Sequence, residues 1–283
     1  MHKIHIVILD GYPAFKEVIL STEFSLKLLG FDVEIIFDRK LYRDVINIIF
    51  ASHHTSLEKI KSQNIPIQNI IIYNLEQVGA GVPWMNARYF QLMKSTHVWE
   101  YSTANFTHLH KAGINNLSLV PIGYTPNLEI IPKIEQDIDV FFYGSGSERR
   151  IKTIEAIKAT GLNVVSTTDH GQLIDEERDM LIARSKIILN MHYYENAHIF
   201  EIVRVSYLLA NHKAVVSELG KNTSIEPDIK KAICYGDLAS LPELCVDLVT
   251  NPSKRKKLQE TGHNIIKQRD ATKFVQKGME KYL

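Results

Sequence analysis

Between Asp139 and Arg150 the chain reads Asp-Val-Phe-Phe-Tyr-Gly-Ser-Gly-Ser-Glu-Arg-Arg, a stretch that concentrates anion-binding chemistry. Gly144, Ser145, Gly146 and Ser147 follow an apolar run and precede a helical pattern carrying Arg149 and Arg150. Glycines let backbone N–H groups approach an anion, a helix N-terminus favours negative charge, and arginine adds paired donors. A diphosphate uses all three. The plainer alternative is a Gly-Ser turn with Ser147 as N-cap and two solvated arginines. The turn lacks the Lys-Ser/Thr of a P-loop, which speaks against triphosphate hydrolysis. It also lacks a full GxGxxG and the ribose-reading acid about 20 residues later, so dinucleotide and S-adenosylmethionine sites fit weakly.

A second polar group follows the apolar run at 187–191. It comprises Asn190, His192 and Tyr194 in a loop, then Phe200, Glu201 and Arg204 at the start of a strongly apolar helical pattern over 199–210. Its apolar residues cover all sides, which predicts burial, and its only charges are Glu201 and Arg204, three residues apart. His192 suits a phosphate or sugar hydroxyl, and a carboxylate such as Glu201 suits a vicinal diol. The alternatives are a satisfied turn histidine and an internal Glu201–Arg204 ion pair.

Three loops of the first half also end apolar runs: Asp10-Gly11-Tyr12, residues 74–79 with Glu76, and Glu100-Tyr101-Ser102. Asp10 and Glu76 are the candidate catalytic bases; Glu100 reads as structural. Among twelve histidines, His53-His54 and His108-x-His110 have no carboxylate or cysteine at ligand spacing, so no metal site is expected. Cys234 and Cys245 read as buried thiols.

Parallel α/β architecture must position these groups, because short β-rich runs alternate with helical patterns. Strands are expected over 3–9, 32–37, 45–51, 69–74, 96–101 and 117–120, with helices over 15–29, 83–94 and 103–112. Prolines 126 and 132 mark a linker. Strands over 138–143, 162–166, 187–191 and 214–217 then alternate with helices over 148–160, 174–184 and 199–210, and a polar helical tail begins at 241. The expected domains are 1–125 and 126–265, with a C-terminal helix over 266–283 packing back on the first.

Hydrophobic residues at 45% and charged residues at 23% are those of a soluble globular protein. A net charge of +1 without a basic-aromatic stripe gives no drive toward nucleic acid. The N-terminal apolar run is too short for a signal peptide, and none reaches a membrane span. A cytoplasmic protein is expected. Lys254-Arg-Lys-Lys257 reads as a solvated helix face, with peripheral contact at the inner membrane surface as the alternative.

The second half resembles the donor-binding domain of GT-B glycosyltransferases, especially the family 1/4 type and the CgeB-like group. A strand enters a Gly-rich turn with basic residues, and a later helix has the form R-V-F-E-A-x-A-C-G-x-x-x-x-S-D. Here that helix begins at Arg204, and Arg204, Ala210, Ser217 and Glu218 fit. The family's glutamate falls at Tyr207 and its glycine at His212. The resemblance covers roughly 139–218. It implies two Rossmann-like domains with parallel sheets facing across a cleft, a nucleotide-sugar donor on the second, and an acceptor on the first. It also implies no cofactor beyond the donor, and no metal.

The expected function is transfer of a sugar from a nucleoside diphosphate to a saccharide, lipid or protein acceptor in glycan biosynthesis, of the hexosyltransferase type. A sugar-nucleotide epimerase of the same shape and a non-catalytic nucleotide- or sugar-binding protein are the alternatives. The sequence does not fix the oligomeric state.

Overall fold

The computed structural model describes residues 3–10, 12–78, 85–168, 175–195 and 197–282, without the side chain of Pro13. The chain divides into two compact units, Met1–Asn127 with Asp270–Leu283, and Leu128–Arg269. The first unit alternates β1 (Lys3–Ile8), α1 (Tyr12–Leu28), β2 (Asp32–Ile36), β3 (Ile46–Phe50), α2 (Leu57–Ser62), β4 (Ile70–Asn74), α3 (Ala87–Ser95), β5 (His97–Glu100), α4 (Thr103–Lys111) and β6 (Leu117–Leu119). Among the described residues its sheet has six strands in the order β2-β1-β3-β4-β5-β6, all pairs parallel. Strands β3, β4 and β5 are buried throughout, as continuous runs such as Ile70-Ile-Ile-Tyr require of a sheet covered on both faces.

The second unit contains β7 (Ile138–Phe142), α5 (Glu148–Lys158), β8 (Val164–Ser166), α6 (Asp175–Arg184), β9 (Ser185–Asn190), α7 (Ile202–Ala210), β10 (Ala214–Glu218), α8 (Pro227–Lys231), β11 (Cys234–Gly236), α9 (Leu241–Thr250) and α10 (Pro252–Lys267). Its five described strands are parallel in the order β11-β10-β9-β7-β8. Val140, Phe142, Ile187, Leu189 and Val216 join Ile154, Ile157 and Leu248 in one core layer.

The chain then returns to the first unit as α11 (Ala271–Met279). Gly278 lets this helix lie flat on β5 and β6. A Cβ there would sit 2.7 Å from Trp99 Cε2 and 2.8 Å from Val120 Cγ2, while Trp99 Nε1 donates to the Gly278 carbonyl at 3.2 Å.

Several boundaries differ from expectation for local reasons. The helix expected over 199–210 begins at Ile202, because Ile199 bridges to Ser224 and the Phe200 amide donates to the Ser224 carbonyl at 3.0 Å. Asn86 caps α3 by accepting from the Tyr89 amide at 3.0 Å, which starts that helix at Ala87; Pro83, where it was expected to begin, lies outside the described residues, as does Ile174 of the helix expected over 174–184. The polar tail is three helices, because Asn251 and Asp270 each cap a new one. No described helix is long and apolar enough to cross a membrane.

Candidate functional site

In the second unit β7 lies between β8 and β9, so the sheet's connections diverge between β7 and β9. Open parallel sheets bind ligands outside the carboxyl ends of strands at such a point. The loops leaving these two strands there are the Gly-Ser turn and the Asn190–Tyr194 segment, which brings both sequence motifs together.

Arg150 is almost fully buried and fixed by carbonyls. It donates to Ser145 O at 2.9 Å, Met191 O at 2.5 Å and His192 O at 3.2 Å. Arg149 donates to His192 O at 2.6 Å and forms a two-pronged pair with Glu218, whose Oε2 also accepts the His192 amide at 3.0 Å. Arg204 approaches from the first turn of α7, reaching Asn190 Oδ1 at 3.3 Å and Glu201 Oε2 at 3.4 Å. Asn190 in turn donates to Ser217 Oγ at 2.9 Å.

Gly144 shows how tightly this set converges. Its φ is 139°, and a Cβ there would meet Arg204 Nη2 at 3.2 Å, Arg150 Nη1 at 3.5 Å and Phe142 Cζ at 3.6 Å. The Arg204 guanidinium lies 5.2 Å from the centre of the Tyr143 ring, and Arg150 lies 5.2 Å from that of Phe142. Two cations thus flank one bare backbone position. Burial, then the neighbouring Arg204, push the Arg150 pKa down to about 10, so it still carries its charge at neutral pH.

Glu201 occupies the N-cap of α7, with Arg150 Nη2 at 3.9 Å and His192 Nδ1 at 4.0 Å. Both ring nitrogens of His192 are buried without a hydrogen-bond partner. Burial lowers its pKa, which leaves the imidazole neutral at neutral pH. An unsatisfied buried polar group costs about 1–3 kcal/mol, a cost that a ligand oxygen here would relieve. Ser147 is the N-cap residue of α5, but its hydroxyl caps nothing and is likewise buried without a partner. Gly146 passes close to Thr168, whose carbonyl would lie 3.0 Å from an added Cβ. Phe200 is core, whereas Tyr194 is exposed and stands edge-on to Tyr193.

In the first unit the corresponding divergence lies between β1 and β3. Asp10, exposed, follows β1, and His54 follows β3, with Nε2 3.7 Å from Asp10 Oδ2. Burial, and secondarily His54, push the pKa of His53 down to about 4. Glu76 contributes its backbone carbonyl to Asn74 and Asn105. Gly11 and Gly79 of the expected loops lie outside the described residues.

Glu100 is fully buried. Its carboxylate accepts from Asn74 Nδ2 at 2.6 Å, Asn105 Nδ2 at 3.0 Å and the Ser102 amide at 2.9 Å. Burial nevertheless pushes its pKa up to about 8.

The role of Glu218 as Arg149's partner was not legible beforehand. Its signal was an acid at the carboxyl end of a strand neighbouring the Gly-Ser turn.

No protein-family model matches the chain. Its sequence is similar to two uncharacterized proteins of Acanthamoeba polyphaga mimivirus. Protein R358 is 24% identical over 217 residues, which cover 74% of this chain and 73% of the relative. Protein L140 is 29% identical over 163 residues, covering 53% of this chain and 49% of L140, so the match spans about half that relative. Solved structures match end to end. HepE of Anabaena, in complex with UDP and glucose, superposes with a TM-score of 0.66 at 11% identity over 100% of this chain and 99% of its own. WaaG, a glycosyltransferase of lipopolysaccharide biosynthesis, gives 0.65 at 10% identity over 98% of both chains. Sucrose-phosphate synthase of Thermosynechococcus elongatus gives 0.64 at 11% identity, over 100% of this chain and 98% of its own. These likenesses establish the fold.

Proposed function

From a chain with the GT-B glycosyltransferase fold we infer a glycosyltransferase that takes a sugar from a nucleoside diphosphate donor and passes it to a saccharide, lipid or protein acceptor in glycan biosynthesis. The observation that carries this reading is the convergence of Arg150 and Arg204 on Gly144 at the sheet's divergence point. Three arginines against Glu201 and Glu218 leave one positive charge beside a neutral His192, a surplus that suits a diphosphate.

Breaking the glycosidic bond puts negative charge on the departing diphosphate. Donors fixed before the reaction stabilise that charge without reorganising. Arg150 is held by three carbonyls and therefore orients; Arg204, with its longer contacts, is the cation free to close on the phosphates. Glu201 is assigned to sugar or ribose hydroxyls in place of the family glutamate that Tyr207 replaces. Gly146, Ser145 and the Ser147 hydroxyl complete the phosphate cradle, Arg149 holds the cradle's Glu218 side, and Tyr194 is assigned to the donor's outer rim. These side chains supply the charge stabilisation, so no catalytic metal and no cofactor beyond the donor is invoked. Asp10, ahead of Glu76, is assigned to deprotonate the acceptor hydroxyl in an inverting reaction, supported by its exposed place at the first sheet's divergence point. The setting proposed with it is cytoplasmic, with peripheral contact at the inner membrane face as the alternative.

Incubating the protein with a panel of nucleotide sugars and acceptor extracts tests the proposal. Nucleoside diphosphate release coupled to a glycosylated product is expected, and Arg204→Ala abolishes it. Undiminished turnover in that variant overturns the assignment. Diphosphate release without a glycosylated product favours the epimerase, and tight donor binding without consumption favours the non-catalytic nucleotide- or sugar-binding protein.

A further inference from the structure

At the opposite end of α7 from Glu201 and Arg204, the second unit gathers Glu129, His212 and His263. One potential ligand atom of each lies within 4.8 Å of the others. They come from three separate places: the segment after the turn at Pro126–Leu128, the residue following the α7 C-cap, and the interior of α10. His212 Nε2 and Glu129 Oε1 are 3.1 Å apart. The two imidazoles stack with centroids 3.6 Å apart and planes inclined by 17°. His263 Nδ1 faces the Ala210 carbonyl at 3.1 Å. A proton donated there leaves the lone pair on Nε2, the arrangement by which backbone carbonyls orient metal-ligating histidines.

The backbone makes the cluster more than a chance meeting of polar groups. His212 has φ 54°, a left-handed conformation normally given to glycine or asparagine after a helix, and the glycosyltransferase pattern carries glycine at this position. The neighbouring Asn211 holds it in place. Its Nδ2 donates to Leu128 O at 2.8 Å and Tyr207 O at 2.9 Å, and its Oδ1 accepts from the amides of Ile130 at 2.9 Å and Ile131 at 2.8 Å. That clamp brackets Glu129 and fixes the carboxylate-bearing segment beside the imidazoles.

We propose that Glu129, His212 and His263 form a site for a divalent transition metal ion such as zinc, with solvent completing the coordination. Two imidazoles and one carboxylate are a donor set suited to such an ion. A tetrahedral ion at about 2.0–2.1 Å places its ligands about 3.3 Å apart. The His212–Glu129 pair already meets that spacing, and binding requires the His212 ring to turn out of its stack on His263, with the Glu129 carboxylate following, so that both in-plane lone pairs point at the ion. On binding, the ion takes the place of the proton between His212 Nε2 and Glu129, and the ring, remaining neutral, carries that proton on Nδ1 instead. The bound ion ties residues 128–131 to α7 and α10, roughly 13 Å along the helix from Glu201. Its role is therefore structural and independent of sugar transfer.

The test uses the full chain stripped with chelator and titrated with zinc by calorimetry near neutral pH. One ion per chain is expected in the wild type. Glu129→Gln, a change at an exposed side chain, and His212→Asn, which tolerates the left-handed backbone, each weaken binding by more than about 10-fold. Replacing His108 and His110 with Asn, both exposed on α4, leaves affinity unchanged. Absence of saturable 1:1 binding in the wild type, or wild-type affinity in a folded Glu129→Gln, overturns the site.

Discussion

Replacing Gly144 with alanine separates the backbone strain of the turn from the chemistry assigned to it. At φ 139° an L-residue is strained by about 1–3 kcal/mol wherever it sits. The new methyl must also share space with Arg204 Nη2 at 3.2 Å and Arg150 Nη1 at 3.5 Å. Arg150 cannot retreat, because three carbonyls hold it. Arg204 can, because its contacts to Asn190 and Glu201 are 3.3 and 3.4 Å long. The methyl therefore displaces the cation assigned to the phosphates.

Gly161→Ala is the control. Its φ is 88° and nothing lies within 4 Å of an added Cβ, so only the strain of about 1–2 kcal/mol applies. Urea unfolding should show both variants destabilised by amounts in these ranges. Calorimetric titration with the nucleoside diphosphate of the donor that the nucleotide-sugar panel selects should show affinity falling by about 10-fold or more, roughly 1.4 kcal/mol, for Gly144→Ala alone. Wild-type affinity for it in Gly144→Ala, or equal loss in both variants, refutes the placement of the diphosphate.

Two further predictions concern buried charge. Glu218→Gln leaves Arg149 without its carboxylate and should lower stability by about 3 kcal/mol, whereas the double variant with Arg149→Met should cost less than the sum of the singles; additive losses in urea unfolding would refute the pairing. Glu100 titrates near 8 in the folded protein against an ordinary value of 4.5. The folded state therefore holds a proton that the unfolded state has lost between these values, and stability from this group is full below about 4.5 and lost as pH rises through 8. Wild-type stability should fall more steeply between pH 5 and 8 than that of Glu100→Gln; matching slopes would contradict the buried acid.

Much of the architecture was legible because its signals are local. Buried parallel strands such as Ile187-Ile-Leu-Asn190 announce themselves as apolar runs, and the two sheets match the expected GT-B class. The elements that escaped notice, α2, α8 and β11, span only three to six residues, too short for a period to register. Within the site, the Gly-Ser turn and Arg204 stood out because glycine and charge are rare beside buried runs. The division of labour between Arg149 and Arg150 did not, because adjacent residues on a helix point to different faces and only the fold decides which meets Glu218. Glu129, His212 and His263 were invisible for a related reason: ligands from three separated segments leave no spacing to read.

Binding of the donor's nucleoside diphosphate to wild type and Arg204→Ala, measured by calorimetry with folding verified by circular dichroism, bears on the central claim most directly. A hydrogen bond to a charged group is worth about 1.5–3 kcal/mol, so removing this cation should weaken binding of the nucleoside diphosphate by roughly 10- to 150-fold while the fold persists. Equal affinity in the two proteins would contradict the claim that Arg204 binds the diphosphate.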